Sequence, residues 1–147
     1  MKLDKKDFDI IAQLKEDSSQ STKDIAKNIN LPITTIHNRI NKLRNNGIIK
    51  RYTIELNYHK IGTSLAAYIL LKLDFKKLFK TFASQEQFTK EIRKNAHIRN
   101  ISFTTGAYDA IAFARFKDME DLNNFLNYLG QYNIIKETIT HIVLRED

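Results

Sequence analysis

The chain of 147 residues contains no cysteine and no tryptophan, and it has only one proline and four glycines. Without cysteine, a protein can form neither disulfides nor cysteine-ligated zinc sites, and it has no thiol nucleophile. So few proline and glycine residues argue against disordered linkers and low-complexity segments. The sequence also has no apolar run near the ~18 residues of a membrane-spanning helix, and no leader pattern is apparent. We therefore expect a soluble, cytoplasmic protein without a membrane partner.

Acidic residues are absent from one long segment of the chain. Residues 25–54 carry six basic side chains and no acidic one, and residues 1–60 hold 12 Lys or Arg against 7 Asp or Glu. Residues 61–147 are nearly balanced, with 12 against 10, within a total formal charge of +7. A basic region attracts the phosphates of nucleic acids, although many basic proteins are simply soluble. Charge alone leaves both interpretations open.

The first part of the chain has the periodicity of three helices, predicted at residues 4–16, 22–29 and 32–46. Asp4 and Ser21 are suited to cap the first two helices, and Asp24 completes an S-x-x-D pattern after Ser21. Pro32 begins the third helix and Gly47 ends it. Three helices with a tight turn between the last two predict a helix-turn-helix domain over residues 1–52.

Apolar stripes predict which side of each helix is buried. In the first helix the stripe consists of Phe8, Ile11 and Leu14, with Ile10 beside it. In the third helix it consists of Ile33, Ile36, Ile40 and Leu43. The opposite face of the third helix is cationic and rich in amides and hydroxyls, which suits a helix that enters a DNA major groove. An ordinary solvated face is the competing interpretation.

Several side chains around this helix have the chemistry of DNA contacts. Arginine can bind guanine O6 and N7 together, and asparagine can bind adenine N6 and N7. Hydroxyls and N–H groups at helix starts, and basic residues after the third helix, can bind phosphate. Arg39 has an alternative role, an ion pair with an acid of the same domain such as Asp24. The predicted DNA-binding residues are Ser21, Thr22, Thr34, Thr35, His37, Asn38, Arg39, Lys42, Lys50 and Arg51.

The rest of the chain changes to strand-like alternation. Residues 48–56 predict a strand, or wing, after the third helix, and residues 53–63 predict a linker strand and hinge. Residues 64–147 predict a βαββαβ ferredoxin-like domain, so the whole chain is α+β. Residues 74–83 fit poorly and are predicted either to extend the first helix of that domain or to form a separate loop. The last helix, from Asp118, is expected to bury Met119, Leu122, Phe125, Leu126 and Leu129.

These motifs together resemble the Lrp/AsnC family, the leucine-responsive or feast/famine transcriptional regulators. The similarity covers nearly the whole chain, and it rests on the order and spacing of motifs that are individually weak. They are Leu3-Asp4, Asp24-Ile25-Ala26, Thr34-Thr35-Ile36, Gly47-Ile48-Ile49 and Thr105-Gly106-Ala107-Tyr108-Asp109.

The resemblance implies a partner for each domain. The N-terminal domain is expected to bind double-stranded DNA, and contact with the transcription machinery is expected as well. The C-terminal domain is expected to form homodimers through its sheet, with tetramers or octamers as larger assemblies, and to bind a small molecule such as an amino acid. Gly106, Tyr108 and Asp109 are expected in an effector pocket between dimers, where Asp109 could meet an amino group. The alternative for this loop is a hairpin in which Asp109 accepts turn N–H groups.

Patterns for catalysis, metals or cofactors are missing from the sequence. The four histidines have no metal-ligand spacing, and there is neither a nucleotide-binding glycine motif nor a nucleophile elbow. We therefore expect a protein that is not an enzyme and that uses no cofactor. Two other functions stay open at this point: a base-indifferent architectural DNA-binding protein, and an amino-acid sensor with little DNA specificity.

Overall fold

The computed structural model describes residues 2–146 and divides the chain into two compact units. The first unit ends at Glu55 and the second begins at Leu56. This division falls inside residues 53–63, the segment that the sequence assigns to a linker.

The N-terminal unit contains three helices, α1 (Lys5–Glu16), α2 (Thr22–Asn28) and α3 (Ile33–Asn45). Local side chains set their boundaries as the sequence predicts. Asp4 caps α1 in a reciprocal capping box with Asp7, and Ser21 caps α2. Pro32 precedes α3, and Gly47 follows it with a φ of 69°. These boundaries reproduce the predicted helices to within one or two residues.

The core of this unit is formed by Ile10, Ile25, Ala26, Ile36 and Leu43. Two predicted core positions are wrong. Phe8 is 57% exposed and Ile33 is 50% exposed. The buried face of α1 runs instead through Asp7 and Ile10, so Phe8 lies about one residue's rotation, roughly 100°, away from it.

Residues 50–57 adopt no regular secondary structure, so the strand predicted over residues 48–56 is not formed. Among the described residues, all strand pairing occurs within the sheet of the C-terminal unit. A β-rich segment needs a neighbouring strand to satisfy its backbone groups, and local propensity does not supply one. Ile54 is accordingly 77% exposed.

The described elements of the C-terminal unit are β1 (Leu65–Leu73), α4 (Phe75–Thr81), α5 (Gln85–Ile92), β2 (Ile98–Phe103), β3 (Ala110–Phe116), α6 (Met119–Gly130) and β4 (Ile135–Ile142). The four strands form one antiparallel sheet in the order β2-β3-β1-β4, with helices packed on one face. The alternating burial of β1 follows the predicted pattern, because Ala67, Ile69, Leu71 and Leu73 all face the helices.

Residues 74–83 form a short helix of their own rather than a loop or an extension of the following helix. Asp74 caps α4 by accepting a hydrogen bond from the Lys77 backbone N–H at 3.2 Å. The Asp74 backbone N–H donates to the Ile134 carbonyl oxygen at 2.7 Å, and Leu78 is fully buried. The predicted βαββαβ order therefore holds, with its first helical segment divided between α4 and α5.

One predicted core residue of α6 is also wrong. Met119 is 51% exposed, whereas Leu122, Phe125 and Leu129 are buried as predicted. Met119 is the first residue of the helix, immediately after the cap Asp118, so it lies before the first turn that packs on the sheet.

The second face of the sheet carries apolar side chains, and no helix of the C-terminal unit packs on that face within the described residues. Tyr68 pairs with Phe113 across β1 and β3, and their ring centroids are 4.9 Å apart. Leu70 lies between its cross-strand neighbours Ile111 and Ile139. Tyr68 is 47% exposed and Ile139 is 37% exposed. We call these residues the open sheet face: Tyr68, Leu70, Ile111, Phe113 and Ile139.

Candidate nucleic-acid interface and ligand loop

The solvent side of α3 collects most of the predicted DNA-reading residues. Thr34, His37, Asn38 and Lys42 are exposed, and Thr35 is half-buried at the helix start. Ile36 and Leu43, on the opposite side, are fully buried. The helix is therefore fixed to its domain by one face and presents amide, hydroxyl, imidazole and ammonium groups on the other. These are the groups that hydrogen-bond to base edges and phosphates.

Asn41 lies on the same polar face of α3, although the predicted set of DNA-binding residues does not include it. Its Nδ2 lies 3.3 Å from His37 Nδ1, one helical turn away. The two residues border a groove of about 280 Å³ that also involves Thr22 of α2, Arg44 and Tyr52. The structure thus brings the start of α2 and the middle of α3 together. The spacing of four residues between His37 and Asn41 was the available signal in the sequence.

Arg39 lies apart from this surface, in an ion pair with α1. Its Nη1 donates to Asp7 Oδ1 at 2.7 Å and to both carboxylate oxygens of Asp4 at 2.9 Å. The hydrogen bonds to Asp7 and then Asp4 raise the pKa of Arg39. The pKa of Asp4 is lowered by the backbone N–H of Asp7 and by Arg39. The ion-pair alternative is therefore realised, with Asp4 and Asp7 as partners in place of Asp24.

Ser21 and Thr22 lie at the start of α2. The Ser21 hydroxyl accepts from the Asp24 backbone N–H at 3.2 Å and donates to Asp24 Oδ2 at 2.5 Å. Ser21 is thus occupied as a cap, whereas Thr22 is half-buried at the groove beside α3. Lys50 and Arg51 are exposed on the irregular segment after Gly47.

The loop between β2 and β3 is held by side chains on β1 and β4. Asp109 Oδ2 accepts from the Leu73 backbone N–H at 2.8 Å, and Asp109 Oδ1 lies 3.5 Å from Lys72 Nζ. Lys72 Nζ also donates to the Ala107 carbonyl oxygen at 2.8 Å. The side chain of Asp109 therefore binds the neighbouring strand, not the N–H groups of its own turn as the hairpin alternative supposed.

Gly106 and Tyr108 occupy the outer part of this loop. Gly106 has a φ of 112°, a region that side chains other than glycine rarely adopt. The Tyr108 hydroxyl donates to Glu137 Oε1 at 2.9 Å, and this bond raises the Tyr108 pKa. Lys72 and Glu137 were missed by the sequence prediction. Lys72 of β1 and Glu137 of β4 are cross-strand partners, and only the observed strand pairing shows that they are neighbours.

Residues 2–146 contain no group of three or more His, Cys, Asp or Glu side chains that could hold a metal ion. In the same range, each helix is too short or too polar to cross a membrane.

Known sequences and structures resemble the chain over nearly its full length. Residues 3–50 match the winged helix-turn-helix DNA-binding family, and residues 67–146 match the Lrp/AsnC ligand binding domain. An HTH-type transcriptional regulator of Pyrococcus furiosus is 35% identical over 144 residues, covering 98% of this chain and 93% of that protein. The regulator FL11 of Pyrococcus horikoshii is also 35% identical, over 97% of this chain and 90% of its own length.

Solved structures of transcriptional regulators are also similar to the chain over nearly its full length. Bacillus subtilis LrpC superposes with a TM-score of 0.85 at 26% identity, covering 100% of this chain and 98% of that one. A Neisseria meningitidis transcriptional regulator, NMB0573, solved as an L-Met complex, has a TM-score of 0.88 at 23% identity. That match covers 99% of this chain and 92% of the other and shows the shared fold. The chain therefore belongs to the Lrp/AsnC family: it is a transcriptional regulator with a helix-turn-helix DNA-binding domain and a ligand-binding domain.

Proposed function

We propose that the protein binds DNA sequence-specifically by placing the exposed face of α3 in the major groove. The observation that carries this proposal is the division of α3 into a fully buried apolar side and an exposed side of base-reading groups. Asn38, His37 and Lys42 are the residues we assign to base edges, with Thr34 and Thr35 at the helix start near phosphate.

The remaining predicted residues take supporting roles in this proposal. Phosphates on either side of α3 are bound by Lys50, Arg51 and Thr22. Ser21 holds the start of α2 through its cap and offers backbone N–H groups there. Arg39 acts on DNA binding only indirectly, because its guanidinium is committed to Asp4 and Asp7.

Dimerisation through the open sheet face completes the DNA-reading assembly. The cross-strand group of Leu70, Phe113 and Ile139 is apolar and spans three strands, β1, β3 and β4, and burying such a patch favours association. A two-fold dimer presents two copies of α3 and should read half-sites about 34–36 Å apart, or a multiple of that distance. Tetramers and octamers would be built from such dimers.

The C-terminal domain would then tune DNA binding through a small ligand such as an amino acid. The L-Met complex of NMB0573 supports an amino acid as ligand class. We assign Gly106 and Tyr108 to the ligand site and Asp109 to holding the loop, because both carboxylate oxygens of Asp109 already face β1 groups. A ligand that displaced Lys72 would free one oxygen of Asp109 for an amino group.

Footprinting on DNA upstream of the protein's own gene tests the central claim. We expect protection of a near-palindromic site at protein concentrations that leave a scrambled duplex of equal length and composition unprotected. Equal protection of both duplexes, with affinity set only by salt and length, would instead identify a base-indifferent architectural protein. Selection of bound duplexes from a random pool provides the half-site sequence for further experiments.

A further inference from the structure

A buried arginine, Arg115, joins three segments at the end of β3 away from the loop between β2 and β3. Only 6% of Arg115 is exposed. Its Nη2 donates to both carboxylate oxygens of Glu146, at 2.6 and 2.7 Å. Its guanidinium carbon lies 3.6 Å from the centre of the Tyr58 ring, which is a close cation–π contact. Arg115 thus connects the sheet, the C-terminal tail and the segment that follows the N-terminal unit.

The segment that carries Tyr58 is a closed turn. Asn57 Oδ1 accepts from the Lys60 N–H at 3.1 Å at its start. At its end, the Thr63 N–H donates to the Tyr58 carbonyl oxygen at 3.0 Å, and the Gly62 N–H donates to the His59 carbonyl oxygen at 3.3 Å. This pair of bonds, with Gly62 at a φ of 77°, is the Schellman pattern that ends helical turns. Residues 57–63 therefore form one hydrogen-bonded turn, which contacts the sheet through the Tyr58 ring and Arg115.

The burial of Arg115 makes the three-way contact interdependent. A buried guanidinium is unfavourable unless its charge is compensated, and Nε of Arg115 has no hydrogen-bond partner among the described residues. The Glu146 carboxylate and the face of Tyr58 supply the compensation, and Phe113 adds a ring 5.3 Å away. Loss of either Glu146 or Tyr58 should therefore loosen the whole arrangement.

We infer that Arg115, together with Tyr58 and Glu146, is a positioning device that fixes where the chain leaves the ligand-binding domain towards Glu55. The inference rests on the proposed reading of two half-sites by a dimer. In such a dimer, a fixed exit point sets the effective concentration of the second reading helix at its half-site. The position of the exit point does not change the contacts that α3 makes with a single half-site.

Two matched pairs of variants separate positioning from folding. Tyr58→Leu removes the ring, while Tyr58→Phe keeps the ring beneath Arg115 and removes only the hydroxyl. Glu146→Gln removes the carboxylate charge at Arg115, while Glu86→Gln removes an exposed carboxylate that pairs with Lys90. These changes avoid replacing Arg115 itself, whose removal would disturb the buried sheet. The thermal midpoint and the dimer mass of each variant are measured first.

The DNA experiment uses full-length protein and duplexes that carry one or two copies of the selected half-site. The distance between the two copies is varied by single base pairs over one helical turn. We expect Tyr58→Leu and Glu146→Gln to bind the duplex with one half-site with a Kd within about twofold of wild type. The increase in affinity from one half-site to two should be about tenfold smaller in these variants than in wild type. Their dependence on spacing should also flatten, while Tyr58→Phe and Glu86→Gln behave like wild type. Amide hydrogen exchange at Gly62 and Thr63 should accelerate only in the first two variants.

Two results would overturn the inference in different ways. If wild type gains affinity from the second half-site and both Tyr58→Leu and Glu146→Gln keep that gain and its spacing dependence, the positioning role is wrong while the proposed function stands. This conclusion holds even if hydrogen exchange accelerates, because the contact would then be structural only. If wild type gains nothing from a second half-site at any spacing, the two-site proposal itself fails, and the positioning role fails with it.

Discussion

Arg39 and Asp7 join the helix that carries the proposed DNA surface to the helix packed beside it, through a 2.7 Å hydrogen bond between Nη1 and Oδ1. The Asp7 side chain is 5% exposed, so its carboxylate depends on partners within the protein. Asp7 also accepts the backbone N–H of Asp4 at 3.0 Å and so closes the capping box of α1. One carboxylate therefore serves both the start of α1 and the placement of α3.

Replacing Arg39 with alanine should destabilise the DNA-binding domain. The change leaves the buried Asp7 carboxylate without its cationic partner, which we expect to lower the free energy of unfolding by about 1–3 kcal/mol. Urea denaturation followed by circular dichroism measures the loss. Lys42→Ala on the same helix is the control, and it should lie within about 0.5 kcal/mol of wild type because Lys42 is exposed. Equal losses in the two variants would contradict the structural role of Arg39.

The Asp4 carboxylate should make stability depend on acid pH. Its pKa is lowered below the ordinary value of 3.8, first by the Asp7 backbone N–H and then by Arg39. A lowered pKa stabilises the fold above the ordinary value, and that contribution is lost as pH falls through the folded-state pKa. Asp4→Asn should therefore reduce the thermal midpoint at neutral pH, and the difference from wild type should vanish well below pH 3.8. A difference that stays constant down to acid pH would rule out the charge effect.

Asn38 and Lys50 should affect DNA binding in different ways. Asn38→Ala should weaken discrimination against the wrong base at one position by about 1–3 kcal/mol. Lys50→Ala should weaken binding to all sequences alike and reduce the slope of log K against log salt by about 0.9. Fluorescence anisotropy at several salt concentrations, on selected and single-substituted duplexes, measures both effects. Asn124→Ala and Lys90→Ala in the other domain are the controls, and identical effects of the two test variants would refute this division of roles.

A charge on the open sheet face should dissociate the dimer. Leu70→Asp places a carboxylate between Ile111 and Ile139, at the centre of the proposed interface, where it would have to be buried among apolar side chains. We expect light scattering to give the monomer mass at concentrations where wild type is dimeric. Met119→Asp is the control, since Met119 is exposed at the first turn of α6, where a carboxylate is favourable. A Leu70→Asp protein that stays dimeric would place the interface elsewhere.

Substitutions of Asp109 should separate loop positioning from direct ligand contact. Asp109→Asn keeps an oxygen for the Leu73 N–H, while Asp109→Ala leaves that donor unpaired. If Asp109 only positions the loop, an amino acid that raises the thermal midpoint of wild type should also raise that of Asp109→Asn, and not that of Asp109→Ala. Loss of the shift in both variants would instead indicate that the carboxylate charge itself meets the ligand.

Features decided by neighbouring residues were predictable from the sequence. The caps at Asp4, Ser21 and Asp118 lie within three residues of the N–H groups that they bind, so a short motif defines them. The alternation of β1 and the apolar spacing of α3 likewise depend on a fixed period along the chain. The predicted DNA surface on α3 follows directly from that spacing.

Features decided by distant contacts were not predictable in the same way. Arg39 and Asp4 are 35 residues apart, and nothing in the sequence selects Asp4 over Asp24 as the partner. Helix α4 depends on Leu78 reaching the core and on a bond between Asp74 and Ile134, which lie far apart in sequence. For residues 48–56 the sequence predicted a strand that is not formed, because the β propensity of the segment is clear but no described strand pairs with it. Only the assembled fold supplies or withholds such partners.

Pro32 leaves the first turn of α3 without a side-chain acceptor for its backbone N–H groups. Most helices receive that acceptor from their own chain, as α1 and α2 do here. In this protein, a DNA phosphate oxygen at the helix start would accept hydrogen bonds from these N–H groups, so the nucleic acid would act as the N-cap of α3. Docking on DNA would then also stabilise that turn, which should exchange its amide hydrogens more slowly once the operator is bound.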